Sequence, residues 1–342
     1  MAKIPTKLQN DKLSEYLRAA GLELVAQGKV RNTWRLGDGR LLVVATDRIS
    51  AFDFVFPVPI PKKGEVLTAL THFWLKRVLA NFDHHLVDSE SSPEFNAAYD
   101  LRRRLSELPI ERCLVVEDLK EKLYPFEMIF RHHIGGSVFK KYQETGLAGG
   151  HELPRDLPKW AKLEVPIFTP STKEDVGHDI NVDADYFFAE MDKKGLGAEA
   201  QEAVANLIAA YSQAYEYAET KKILILDTKF EIAGLKLADE ILTPDSSRFS
   251  LKEDWEKAMQ AGRDPYFYDK EVFRDYVSKI VTPFEFIGVN KLNPENSNHT
   301  NFVHGLEFPP EIITKTTNRY LQIFELLTSQ SLTEYQKQEM GV

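Results

Sequence analysis

Alternation of apolar and polar residues dominates the first part of the chain and predicts strands there. Gly28 to Leu36 and Leu41 to Thr46 read as two strands, with Gly37-Asp38-Gly39 as the turn between them. Asp-Gly between two apolar-rich runs is a hairpin signal. Pro57-Val58-Pro59-Ile60-Pro61 must be extended, because each proline biases its predecessor away from helix. Leu67 to Leu79 changes to helical spacing, with Leu67, Leu70, Trp74, Leu75 and Val78 near one face. Further strands are expected around Arg112 to Glu117 and Glu127 to Ile134. The region Val182 to Thr220 is helical in period, including the long run Ala198 to Ala218. A strand pair, Ile223 to Ile232 with Leu237 to Leu242, precedes C-terminal helices beginning near Asp269 and at Pro309-Pro310, where proline suits a first helical turn. The pattern predicts an α+β fold in two lobes with a cleft between them: a strand-rich lobe over residues 1–116 and a mixed lobe over 117–342.

Composition narrows the function. The 342 residues are 43% hydrophobic and 28% charged, an ordinary globular balance. A formal net charge of -9 opposes the nucleic-acid backbone, so no nucleic-acid partner is expected. Anionic small molecules would need a local cluster of Lys and Arg. The single cysteine, Cys113, lies in an apolar stretch and suits a reducing cytoplasm. Met1 to Lys7 contains no apolar run of the secretory type, and the longest apolar stretches are too short for a bilayer. A cytoplasmic protein with no membrane partner is the expectation.

Five segments could carry chemistry. In Ile223 to Ile232, strand geometry puts Asp227, Lys229 and Glu231 on one face. Carboxylates flanking an ammonium suit Mg²⁺ beside phosphate, though a half-exposed strand with a cross-face ion pair gives the same pattern. Thr243-Pro244-Asp245-Ser246-Ser247 is a turn that delivers Arg248 beside two hydroxyls, a set suited to a terminal phosphate or to a self-bonded surface turn. Arg131 to Ser137 runs from a strand through Gly135-Gly136 into a helix. It reads either as an anion site or as a plain connection with Ser137 as N-cap. Lys29 and Arg31 share a strand face that could meet a triphosphate or only solvent. Thr46 to Asp53 could be a substrate loop or a turn. The pairs His84-His85 and His132-His133 face opposite ways along a strand, so no zinc site is expected, and no Walker A, Rossmann or nucleophile-elbow motif is present.

Taken in order, the segments resemble the SAICAR synthetase family. The likeness is carried by GKVRNTW at Gly28, ATDRISAFD at Ala45, PIPKKGEVLT at Pro59, RHHIGGSVFKKYQETG at Arg131, PIFTPSTKEDVGHDINV at Pro166, LDTKFEIAG at Leu226 and LTPDSSRF at Leu242. The resemblance implies a strand-rich, kinase-like ATP lobe joined to a substrate and metal lobe. It also implies a ligase that joins L-aspartate to carboxyaminoimidazole ribotide, with ATP and Mg²⁺, in a monomer or small homo-oligomer. By the same likeness, Lys29, Arg31, Glu127 and Lys229 would contact ATP. Arg131, Ser137, Arg248 and Ser246 would grip the ribotide, with Arg48 and Ser50 as further substrate contacts. Asp227, Glu231 and Asp239 would hold the metal, and Lys229, Asp227 and Glu231 would be the catalytic group.

Departures from the family pattern bear on the aspartate pocket more than on the nucleotide site. Arg31 stands where many relatives have Lys, Ser250 where a Trp is common, Ile-Ala-Gly follows Glu231 in place of Phe-Gly, and Ile180 follows His178-Asp179 in place of an acidic residue. The Thr46 to Asp53 loop and Ser171-Thr172-Lys173 are the candidates for gripping aspartate. A kinase-type phosphotransferase and a non-catalytic nucleotide-binding protein of the same fold are the alternatives. The first would act on a hydroxyl without aspartate, and the second would bind ATP without turnover.

Overall fold

The computed structural model describes residues 3–8, 12–173 and 180–342, and it is α+β as the sequence predicts. The chain forms two compact units, each discontinuous. One comprises Met1–His72, Leu86–Asp118 and Asp269–Val342, the other Phe73–His85 and Leu119–Tyr268. One passage between the units falls at Asp118/Leu119, where the sequence expectation placed a single boundary at 116/117. The C-terminal helices, expected in the second lobe, belong to the first unit instead. The physical reason is a partnership distant in sequence: Ile49, Phe54 and Phe56 share a buried core with Phe273, Val277 and Val303.

In the first unit the strands are β1 (Glu23–Gln27), β2 (Arg31–Gly37), β3 (Arg40–Ala45), β4 (Arg48–Ala51), β5 (Phe54–Pro59) and β6 (Cys113–Glu117). An antiparallel sheet runs in the order β1-β2-β3-β6 and buries Trp34, Leu42, Val44, Cys113 and Val115. The β2–β3 hairpin turns on Asp38 and Gly39, both at positive φ (50° and 70°), the type I′ geometry that matches strand twist. β1 was not legible in the polar leader. The β4–β5 hairpin was also missed, and its turn explains why. Phe52 and Asp53 take positive φ (52° and 63°) where Asn-Gly would be the recognisable signal. The helix expected over Leu67 to Leu79 begins earlier, spanning Lys63–Phe73, and its Gly64 is required. A Cβ there would lie 2.8 Å from the Ala45 carbonyl oxygen.

In the second unit the strands are β7 (Phe126–Ile134), β8 (Leu147–Ala148), β9 (His151–Glu152), β10 (Ala161–Phe168), β11 (Ser171–Thr172), β12 (Ile223–Ala233), β13 (Lys236–Ala238) and β14 (Ser247–Leu251). The sheet order is β10-β7-β12-β13, with β11 on β7 and β14 on β12, all antiparallel. β13 is shorter than expected, because the chain turns at Asp239 (φ 63°) and Leu242 (φ 50°). The predicted helix appears as Gly197–Thr220 and packs on this sheet. Its Tyr211 hydroxyl donates to the Ile225 carbonyl (2.6 Å) and accepts from the His132 amide (3.2 Å). Those bonds sit where the β12–β14 register shifts between Ile225 and Asp227, so the tyrosine satisfies backbone groups beside the bulge.

His132 and His133 serve the packing of this unit. His133 contacts the Tyr215 hydroxyl (3.2 Å) and the Trp160 carbonyl (3.1 Å), and His132 lies against the Tyr215 ring with centroids 4.1 Å apart. Burial pushes the imidazole of His132 down to about 4 and that of His133 down to about 3. The unfolded chain therefore takes up protons the fold refuses, so this stability is present above about pH 6.5 and lost as pH falls toward 4. Unfolding free energy should drop by about 2 kcal/mol for His133 between pH 7 and 5. Urea titrations at both pH values check this, and an equal drop in a His133→Gln chain refutes it.

Candidate active site

The centre of β12 sets the site. The register places Asp227 opposite Arg131 of β7 on one side and Arg248 of β14 on the other. One carboxylate oxygen, Asp227 Oδ2, accepts from Arg131 Nη1 and from Arg248 Nη1, each at 2.5 Å. Arg131 is 3% exposed and also donates to Thr169 Oγ1 (2.9 Å) and the Gly135 carbonyl (3.4 Å). Burial pushes the Arg131 guanidinium below its usual range, while Asp227 pulls it back and Arg248 adds to the lowering. Two cations share one anion, leaving the trio with a net positive charge in a largely buried place. This is an arrangement that favours a further anion.

The Gly-Gly-Ser connection closes over the trio. Gly136 takes φ 64°, and a Cβ there would stand 3.0 Å from Arg248 Nη1 and 3.2 Å from Arg131 Nη1, so only glycine allows this approach. Ser137 makes no capping bond at the helix Val138–Thr145. Its hydroxyl donates to Asn181 Oδ1 (3.3 Å), so the N-cap alternative is not realised. Trp160, in the loop before β10, lies under Arg248 with its ring centroid 5.5 Å from the guanidinium carbon. Trp160 carried no signal in the sequence, and Thr169 entered only as one position of the PIFTPSTKEDVGHDINV segment, with no role attached. Their roles arise from pairing at the β7–β10 edge.

Farther along the same face, Lys229 Nζ bonds Glu127 Oε1 of β7 at 2.6 Å. Burial works against the Lys229 charge, but Glu127, Glu231 and Glu240 outweigh it and hold the ammonium above its usual range. Glu231 pairs with Lys173 at 2.6 Å. Burial and the nearby Asp239 raise its carboxyl above the usual carboxylate range. Two mutually repelling oxygen donors are what a hard divalent cation relieves, and Mg²⁺ needs only one or two carboxylates beside phosphate oxygens. Glu231 and Asp239 are oxygen donors of the kind Mg²⁺ takes. Asp227, expected with them, stays with the arginines, because the bulge and the cross-strand register aim it there. No group of three or more metal-type side chains occurs among the described residues.

Ser246 is engaged in its own turn, accepting from the Thr243 amide at 3.1 Å. In the first unit, Lys29 pairs with Asp53 at 2.5 Å on a partly exposed surface, and Arg31 sits half-buried on β2. Arg48, expected at substrate, is buried with its donors on the Lys29 and Gly28 carbonyls (3.1 and 3.0 Å) and Asn32 Oδ1 (2.7 Å). It ties down the bend that carries Lys29. Ser50 is buried on β4. Of the remaining candidates, Lys173 lies next to the sheet as described, while His178-Asp179 lies outside the described residues.

A cationic cradle beside an acidic pair, both built on one antiparallel sheet, defines a protein suited to phosphorylated small molecules. The family model described as SAICAR synthetase matches residues 24–287. A phosphoribosylaminoimidazole-succinocarboxamide synthase of Thioalkalivibrio sulfidiphilus is 39% identical, covering 91% of this chain and 96% of that protein. One of Thermodesulfovibrio yellowstonii is 39% identical, covering 90% and 96%. Among solved structures, the SAICAR synthase from Saccharomyces cerevisiae complexed with SAICAR superposes with TM-score 0.71 at 34% identity, covering 95% of this chain and 99% of that one. The chain belongs to the SAICAR synthetase family, enzymes of purine biosynthesis that ligate aspartate to carboxyaminoimidazole ribotide with ATP. No helix among the described residues is long and apolar enough to cross a membrane.

Proposed function

We propose that this chain performs the family's ligation with the second unit's cradle as the ribotide phosphate site. The single observation that carries this reading is the Arg131–Asp227–Arg248 trio against Gly136, a net-cationic group with backbone at contact distance. Arg131, Arg248 and Ser137 hold the sugar phosphate, and Asp227 sets the two guanidinium groups. The reaction then runs in two steps. The ribotide carboxylate oxygen attacks the γ-phosphorus of ATP, forming an acyl phosphate and releasing ADP. The amine of aspartate next attacks the acyl carbon, gives up a proton, and expels inorganic phosphate as the amide forms.

Such chemistry asks chiefly for positioning and charge neutralisation. Lys229 offsets charge on the transferring phosphoryl group, and Glu127 holds that ammonium in place. Glu231 and Asp239 would hold Mg²⁺, which supplies neutralisation of the phosphate oxygens when bound. Lys29 and Arg31 are assigned to ATP phosphates on the family likeness. The single Cys113, fully buried, supports a reducing, cytoplasmic setting.

Arg248→Ala should raise the KM for the ribotide about 10- to 100-fold while the KM values for ATP and aspartate change less than about twofold. Steady-state kinetics with each substrate varied in turn checks this, and an unchanged ribotide KM removes the phosphate assignment. Omitting aspartate should stop turnover after at most about one ADP per enzyme from the first step, whereas a phosphotransferase acting on another acceptor would continue.

A further inference from the structure

Beyond the groups that meet substrate, the backbone of Trp160 stands out. It takes φ 68°, a left-handed conformation that costs a bulky side chain, and persists only where the surroundings over-determine it. Here they do. Its amide donates to the Ile134 carbonyl (2.7 Å), its carbonyl accepts from Trp255 Nε1 (2.8 Å), and its indole Nε1 donates to Asp264 Oδ1 (3.0 Å). The ring rests on Gly135 so closely that a Cβ there would fall 2.2 Å from it, and Phe267 meets the ring edge at 5.0 Å between centroids. Only 3% of the residue is exposed, yet the Arg248 guanidinium lies over the ring.

We propose that Trp160 is a positioning residue for the ligation, fixing the plane and place of the Arg248 guanidinium for the ribotide phosphate. This rests on the reading that Arg248 meets that phosphate. Asp227 accepts from Arg248 at one nitrogen, and a single bond of that kind leaves rotation about its own axis. The aromatic face removes it, because a cation over a ring is held by the ring quadrupole. The strained loop thus presents a flat platform, and Gly135 is the residue that admits it. Asp264 acts one step further out by orienting the indole, while also pairing with Lys159 at 2.7 Å.

The test uses the full chain with Trp160→Leu, Trp160→Phe, Asp264→Ala and Arg248→Ala, and steady-state kinetics for each substrate. Trp160→Leu should raise the ribotide KM about 3- to 30-fold with ATP and aspartate KM values and kcat within about twofold. Trp160→Phe, which keeps an aromatic face, should recover most of that loss. Asp264→Ala, at an exposed position, should fold normally and raise the ribotide KM about two- to threefold. A purely structural role predicts a fall in kcat or in all three affinities together, with Phe no better than Leu, and that result overturns the proposal. An unchanged ribotide KM in both Trp160→Leu and Asp264→Ala also overturns it, or in Asp264→Ala alone where the leucine chain does not fold. If Arg248→Ala itself leaves the ribotide KM unaltered, the phosphate reading fails first.

Discussion

Asp227→Ala is expected to cost the second unit about 3–5 kcal/mol of stability, read as a lower urea midpoint in equilibrium unfolding. The carboxylate is 5% exposed and is shared by two guanidinium groups, one of them 3% exposed. Without it, burial and the mutual repulsion of Arg131 and Arg248 both act against the charge on Arg131, and the remaining partners, Thr169 and the Gly135 carbonyl, are neutral. The same deletion leaves the cradle with two positive charges in place of one. Inorganic phosphate should therefore raise the melting temperature of the variant more than that of the parent chain. A stability loss under about 1 kcal/mol, or no extra response to phosphate, would show that the trio is not the compensated buried cluster described here.

Lys229→Met should lower kcat about 10²- to 10³-fold, the usual cost of removing one preorganised cationic donor from a reacting phosphoryl group. The ammonium is held by Glu127 at 2.6 Å, and its neighbours keep it protonated far above neutral pH, so its effect on rate should be flat between pH 7 and 9. Methionine preserves most of the side-chain volume. A second variant, Glu127→Gln, separates the two contributions: it should leave the lysine charged but less fixed, with a smaller loss in kcat. Turnover within tenfold of the parent in a folded Lys229→Met chain would remove lysine from the phosphoryl step.

Local signals were the legible ones. Asp38-Gly39 fixes a hairpin through two residues that accept positive φ, Pro310 starts a helix at a position that needs no amide, and the strict alternation of β12 sets Asp227, Lys229 and Glu231 on one face. The β4–β5 turn was hidden because Phe52 occupies a conformation for which phenylalanine is no signal. The pairing of Asp227 with two arginines could not be read either, since it depends on a bulge whose backbone groups are satisfied by Tyr211 from a helix. Arg131 and Arg248 were singled out from motif order, and the structure brings them together on Asp227. Trp160 was not, because its place under Arg248 depends on how the loop before β10 folds back onto Gly135. Arg48, read from its loop as a substrate contact, donates to the backbone of its own unit and to Asn32.

The discontinuous first unit has a consequence for how the chain matures during synthesis. Every residue of the second unit has been synthesised by Tyr268, whereas the first unit still lacks Asp269–Val342. Its contacts include His72 with Tyr335, 263 positions apart, and Glu65 with Gln336, 271 apart. The apolar face of Ile49, Phe54 and Phe56 must therefore wait uncovered until Phe273, Val277 and Val303 emerge. Vectorial production thus completes the later segment's unit before the earlier one, and the nascent first unit is the stretch that chaperones would have cause to shield.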